Sequence, residues 1–248
     1  MGIGAISEHF KSPALKLNQE RALFNFRGRN FTAAVIDLNK QNVRVLGINP
    51  KIFEPGLKVY LLEKSEFSEF SRLANRKGAE GFYPLSSGGL EARVVGGDLE
   101  SLPEEGRVMI LTFKSSEPLN CDRRVISHEL LHDIFLGNFK TLERDQFYKC
   151  VAVWILKIQN SGARAEDKDF FKEISARSAV PYDLDVIRGF NVANSIKENK
   201  FSEKFKHFAG ECFAYAGELM LLGPDREYLG KVSDEMATYF KMKKILLS

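Results

Sequence analysis

Residues 128–132 read His-Glu-Leu-Leu-His, and no other stretch of the chain limits its folding and chemistry so tightly. The pentapeptide lies in a mostly apolar run, residues 125–136, rich in helix formers. On an α-helix, residues four apart share a face, one turn above the other. His128 and His132 so placed can hold one zinc ion between two imidazoles, and Glu129 then points toward a water on that ion. The chain has four histidines, and this motif uses two of them. Asp122 is the expected N-cap of the motif helix, and Gly137-Asn138 its expected stop.

A zinc ion that does chemistry needs a third protein ligand and an open position. The metzincin pattern H-E-x-x-H-x-x-G-x-x-H does not continue here, because Phe135 stands at the glycine position and Asn138 at the third histidine position. The expected third ligand is therefore a carboxylate on another helix. Residues 205–220 are mostly apolar or small, yet Glu211 sits in their middle. Ala209, Gly210, Ala214, Ala216 and Gly217 allow a helix to approach a neighbour closely. A carboxylate at such a contact is costly unless it is paired or bound to metal. Glu211 is favoured because it is centred in the stretch, and Glu218, two turns on, is the competitor.

His128-Glu129-x-x-His132 followed by Glu211-Cys212-Phe213-Ala214 resembles the gluzincin metallopeptidases, in particular their lethal-factor-like branch. Pro224, Leu229 and a final helix beginning near Ser233 follow in the order that branch shows. The resemblance covers roughly residue 57 to the C-terminus. It implies a zincin-like α+β fold, with an N-terminal mixed β-sheet and helices, the motif helix, and then a mostly helical C-terminal half. It also implies one zinc per chain and a peptide or protein substrate. Two positions depart from the branch. Tyr215 stands one turn after Glu211, where related enzymes carry an acid that holds a zinc histidine. Lys204 stands two turns before Glu211, where the branch has a tyrosine near the developing oxyanion. His207 and Tyr215 are the candidate oxyanion donors in its place, against the plainer readings of a surface histidine and a packed tyrosine. Short-spacer gluzincins place the glutamate much sooner, and at that distance this chain has Val151.

Composition is that of an ordinary globular protein: 248 residues, 44% hydrophobic, 28% charged, net charge +3. No sustained basic stripe argues for nucleic acid, and no 18-residue apolar run argues for a membrane span. Cys121, Cys150 and Cys212 form no metal or disulfide pattern, and the last two read as buried thiols. The first residues lack the charged and apolar regions of a signal peptide, so a cytoplasmic location is expected unless a leader has been removed.

The expected organisation is an N-terminal arm over 1–30 and one domain over 31–248, β-rich to 138 and helical from 139. A hairpin is expected from 31–38 and 42–48, then strands over 57–63, 90–95 and 108–114. A helix is expected over 65–77 with Ser65 as N-cap and Gly78 as its end, and a loop or short strand over 81–89. Later helices are expected over 141–159, 166–177, 182–194, 202–222 and 225–247, with Trp154 in the core.

The chemistry these residues suit is zinc-dependent peptide hydrolysis. His128, His132 and Glu211 would bind the ion, and Glu129 would act as general base. A catalytically idle zincin domain serving as a binding or regulatory module is the alternative, and a metal-free helical interaction protein the third reading.

Overall fold

The computed structural model describes residues 20–26, 28–73, 81–82, 90–94, 100–101, 108–113, 123–177, 182, 184–222 and 227–247. Among them the strands are β1 (Glu20–Phe26), β2 (Arg29–Asp37), β3 (Lys58–Glu63), β4 (Gly81–Phe82), β5 (Leu90–Val94), β6 (Glu100–Ser101) and β7 (Val108–Phe113). The helices interleaved with them are α1 (Lys40–Val45) and α2 (Lys64–Leu73). The motif helix α3 (Arg123–Asp133) follows, running into a π turn, Ile134–Asn138. The rest is helical: α4 (Thr141–Ser161), α5 (Ala165–Arg177), α6 (Leu184–Arg188), α7 (Val192–Glu198), α8 (Glu203–Leu222), α9 (Tyr228–Val232) and α10 (Asp234–Lys243). The protein is thus α+β, with the strands first and the helices after. The chain divides into two compact units, one running up to Leu46 and over Phe53–Glu129, the other over Gly47–Ile52 and from Leu130 onward. The dividing line falls inside α3, itself one continuous helix.

In the first unit the strands form one sheet in the order β4-β7-β3-β2-β1-β5-β6. It is mixed, because β3 and β7 run parallel while the other pairs are antiparallel. In β2, Phe31, Ala33 and Val35 are buried and alternate with more open residues, the period-two signature of a strand with one covered face. That face meets α2, where Phe70 sits edge-on to Phe31 at 5.8 Å between ring centroids. In β3, by contrast, Val59, Tyr60, Leu61 and Leu62 are all buried, as befits a central strand covered on both sides.

The hairpin lies one strand earlier than expected. β1 and β2 pair antiparallel with Phe26 opposite Arg29, and Gly28 takes a φ of 78° in the turn that closes them. The second expected strand, 42–48, is instead mostly α1. Asn39 accepts hydrogen bonds from the backbone N–H groups of Gln41 and Asn42, both at 2.9 Å, and so caps a helix. Val43 and Leu46, three apart, are buried while Val45 is 45% exposed, the spacing of a helix face despite the β-rich composition of 42–48. A second correction concerns α2, which begins at Lys64 directly after β3, placing Ser65 inside the helix rather than at its cap. The expected N-cap Asp122, the stop at Gly78, most of the 81–89 loop, Cys121 and Pro224 lie outside the described residues.

In the second unit, segment 47–52 joins the C-terminus. Ile48 bridges Leu246, and Asn49 donates its backbone N–H to the Ile245 carbonyl at 2.9 Å. Two expected helices are each broken. The first becomes α6 and α7, separated around Gly189 and Phe190, because Phe190 turns inward onto Phe205 and Phe208. The carbonyls freed by the break are met by Gln159, whose Nε2 donates to Arg188 at 3.1 Å and Phe190 at 2.9 Å. The last helix becomes α9 and α10. Ser233 is extended (φ −154°) and its hydroxyl caps α10 by accepting from the Met236 N–H. The core of the unit is aromatic. Phe213 of α8 stacks on Phe135 at 4.5 Å and on Phe240 at 4.9 Å, with Phe147 edge-on at 5.1 Å. Trp154 is buried as expected, stacked on Phe171 and donating its indole N–H to Asp167 at 2.9 Å. None of the described helices is long and apolar enough to cross a membrane.

Candidate metal centre

α3 is buried along most of its length, with Leu130 and Leu131 at 0% exposed. His128 and Glu129 are themselves 7% and 8% exposed. Where α3 ends, the chain widens into the π turn, closed by the Phe139 N–H donating to the Ile134 carbonyl at 3.0 Å. The turn directs Phe135 onto Phe213. Asn138 donates its side-chain amide to the Ile52 carbonyl at 2.9 Å. Both residues that break the metzincin pattern therefore have packing or hydrogen-bonding tasks instead.

The third group comes from α8. This helix is buried from Phe208 through Glu218, apart from Glu211, whose side chain is 13% exposed. The close approach expected of its small residues occurs at Gly217. A β-carbon there would stand 2.5 Å from Leu131 Cδ1 and 3.1 Å from Phe240 Cε1. Gly210 plays no such part, since a β-carbon there would meet nothing within 4 Å. Because α8 lies this close to the end of α3, the Glu211 carboxylate reaches the histidines. Its Oε2 is 3.6 Å from His132 Nε2.

His128, His132 and Glu211 each offer one ligand atom, and these atoms all lie within 4.8 Å of one another. Tetrahedral zinc with bonds of about 2.0–2.1 Å needs donors about 3.3 Å apart, so a small closing movement would complete the set. Two imidazoles and one carboxylate are donor types that suit a divalent ion such as zinc. Among the described residues this is the cluster that fits a metal ion, and Glu218 is not part of it. Glu218 is buried on the same helix, 5% exposed.

The other expected site residues fall in different places. His207, one turn before Glu211, has Nε2 4.0 Å from Glu211 Oε1 and a side chain 38% exposed. Tyr215, one turn after, is buried with its ring 5.0 Å from Phe170. Lys204 is exposed and Val151 is fully buried in the core. Cys212 beside the carboxylate is fully buried, and burial first, then the Glu211 charge, pushes its thiol well above the usual range, which keeps it an inert core group. Sequence reasoning missed Tyr182, whose hydroxyl lies 2.5 Å from His207 Nδ1. Nothing in its local sequence marks it, because the partner is 25 positions away. The chain matches no protein-family model, no curated protein and no solved structure.

Proposed function

We propose that this protein is a zinc-dependent endopeptidase of gluzincin type on a zincin-like fold. One observation carries the reading: an H-E-x-x-H helix and a glutamate 79 residues later bring three donor atoms within 4.8 Å of one another. The mixed sheet ahead of the motif helix, and the helical half after it, are in keeping with that fold. His128 and His132 would bind through neutral imidazoles and Glu211 through a carboxylate oxygen. Bound there, zinc would supply Lewis acidity, making water acidic near neutral pH and drawing charge from a carbonyl oxygen. Glu129 adjoins the first ligand and takes the proton from the attacking water, then passes it to the leaving amine. His207 has an imidazole nitrogen 4.0 Å from the Glu211 carboxylate, and in this reading it would donate to the oxygen that gathers charge.

Glu129→Gln tests the reading. The variant should retain one zinc per chain by metal analysis and lose hydrolysis of casein and a peptide library by about a thousandfold. Wild-type protein that carries full zinc yet cuts neither substrate would instead favour the binding-module reading. Protein purified without added zinc and holding less than about a tenth of an equivalent would remove the metal altogether.

A further inference from the structure

Asn49 has all four of its hydrogen-bonding groups engaged, and they face two ways. Toward the C-terminal segment, its backbone N–H donates to the Ile245 carbonyl at 2.9 Å and its Nδ2 to the Lys244 carbonyl at 2.8 Å. Toward its own turn, its carbonyl accepts from the Ile52 N–H at 3.2 Å and its Oδ1 from the Lys51 N–H at 3.0 Å. Those two bonds, with Pro50 fixing the second position, make 49–52 a stiff turn. Beside it, Leu247 donates its N–H to the Gly47 carbonyl at 2.8 Å, and Ile48 and Ile245 are both 0% exposed.

The far end of the turn reaches the motif helix. The Ile52 carbonyl accepts from Asn138 Nδ2 at 2.9 Å, the one hydrogen bond of that side chain among the described residues, since its Oδ1 is buried without a partner there. Asn138 ends the π turn that begins two residues after His132. Arg144 holds the same turn from α4, donating Nη1 to the Leu136 carbonyl at 2.7 Å. The turn also carries Phe135, stacked on Phe213, two residues after Glu211. A shift of Ile52 therefore passes to Asn138, and with it to the turn that ends the His132 helix. Close-packed interiors transmit such displacements rather than absorb them.

We propose that Asn49 is a positioning residue for the candidate metal centre, a hub through which docking of the C-terminal segment 244–247 holds the turn after His132 and so favours metal binding. The effect on metal rests on the zinc reading of the site; the coupling of the C-terminal segment to the π turn does not. Asn49 acts only through Ile52 and Asn138 and is not itself a ligand.

Coupling between two sites is reciprocal, so the wild-type protein already provides a test. If docking of the C-terminal segment raises zinc affinity about fivefold, zinc must slow hydrogen exchange at the Leu247 N–H by about the same factor. A Leu247 rate unchanged at full zinc occupancy overturns the proposal. Asn49→Asp keeps the Oδ1 acceptor of the turn but sets an oxygen against the Lys244 carbonyl in place of the Nδ2 donor. In the full-length chain it should weaken zinc about fivefold in competition with a chelator, and speed exchange at the Phe139 N–H, which closes the π turn. Asn138→Ala should weaken zinc to a similar degree. The double variant should lose no more than the larger single loss, because both act along one path. Losses that multiply to about twenty-fivefold overturn the coupling, as does zinc affinity in Asn49→Asp within about 1.5-fold of wild type. Wild-type protein that binds no zinc refutes the metal reading instead. Phe139 exchange in zinc-free Asn49→Asp then decides the coupling: a faster rate supports it and an unchanged rate overturns it.

Discussion

Replacing Gly217 with alanine should loosen the helix contact that brings Glu211 to the histidines. The added methyl would lie 2.5 and 3.0 Å from the two terminal carbons of Leu131 and 3.1 Å from Phe240 Cε1. Ordinary carbon–carbon contact is about 3.5–4.0 Å, so about 1 Å of relief is needed. Leu131 and Phe240 are 0% and 1% exposed, so neither has solvent to retreat into. Overpacking of this kind costs about 1–3 kcal/mol, against about 1 kcal/mol gained when glycine becomes alanine inside a helix. The net expectation is a loss of about 1 kcal/mol. Gly210→Ala on the same helix is the control, since its methyl meets nothing within 4 Å and only the helix gain of about 1 kcal/mol remains. The two variants should therefore differ by about 2 kcal/mol in urea unfolding followed by the fluorescence of Trp154, the one tryptophan, which is 1% exposed. Zinc affinity should also fall about tenfold in Gly217→Ala, because relief at Leu131 displaces α8 from α3. Equal stability of the two variants would refute the argument, showing that Leu131 repacks freely.

Glu211→Gln should weaken zinc binding by at least about a hundredfold in competition with a chelator, whereas Glu218→Gln should leave it within about threefold; the reverse order would make Glu218 the third ligand. Asp167 should make the fold sensitive to acid. Burial alone would raise its carboxyl, but hydrogen bonds from the Arg164 side chain, Trp154 and the Arg164 backbone outweigh burial and hold it below the usual range. Its contribution is therefore complete above the unfolded value of about 4 and is lost as pH falls through the lower folded value. Asp167→Ala should cost about 2–3 kcal/mol at pH 7, leaving the Trp154 N–H without its acceptor, and much less at pH 2.5. A pH-independent cost in urea titrations would remove the carboxylate from the account.

Much of the site was legible locally. His128, Glu129 and His132 needed only the helical period, because four residues make one turn wherever the helix packs. Errors in the fold arose where a local pattern had two readings. Residues 42–48 are β-rich in composition, but the Asn39 cap and the burial of Val43 with Leu46 made most of the segment a helix. The aromatic pull on Phe190 and the cap at Ser233 each divided a run whose periodicity suggested one helix.

Sequence by itself determined the groups on offer: two imidazoles one turn apart, a glutamate between them, and an acidic residue within a small, apolar helix. Only the tertiary structure decided which acid meets them. Glu211 and Glu218 share a helix, and their difference depends on where α8 touches α3. That contact is set by Gly217 against Leu131 and by Phe213 stacked on Phe135, pairs far apart in the chain. Tyr182 is decided in the same way, by a backbone clasp to Ser175 and a ring against Phe208 that carry its hydroxyl to His207. Covalent spacing along a helix is rigid and readable, whereas the meeting of distant side chains follows from close packing of the whole unit.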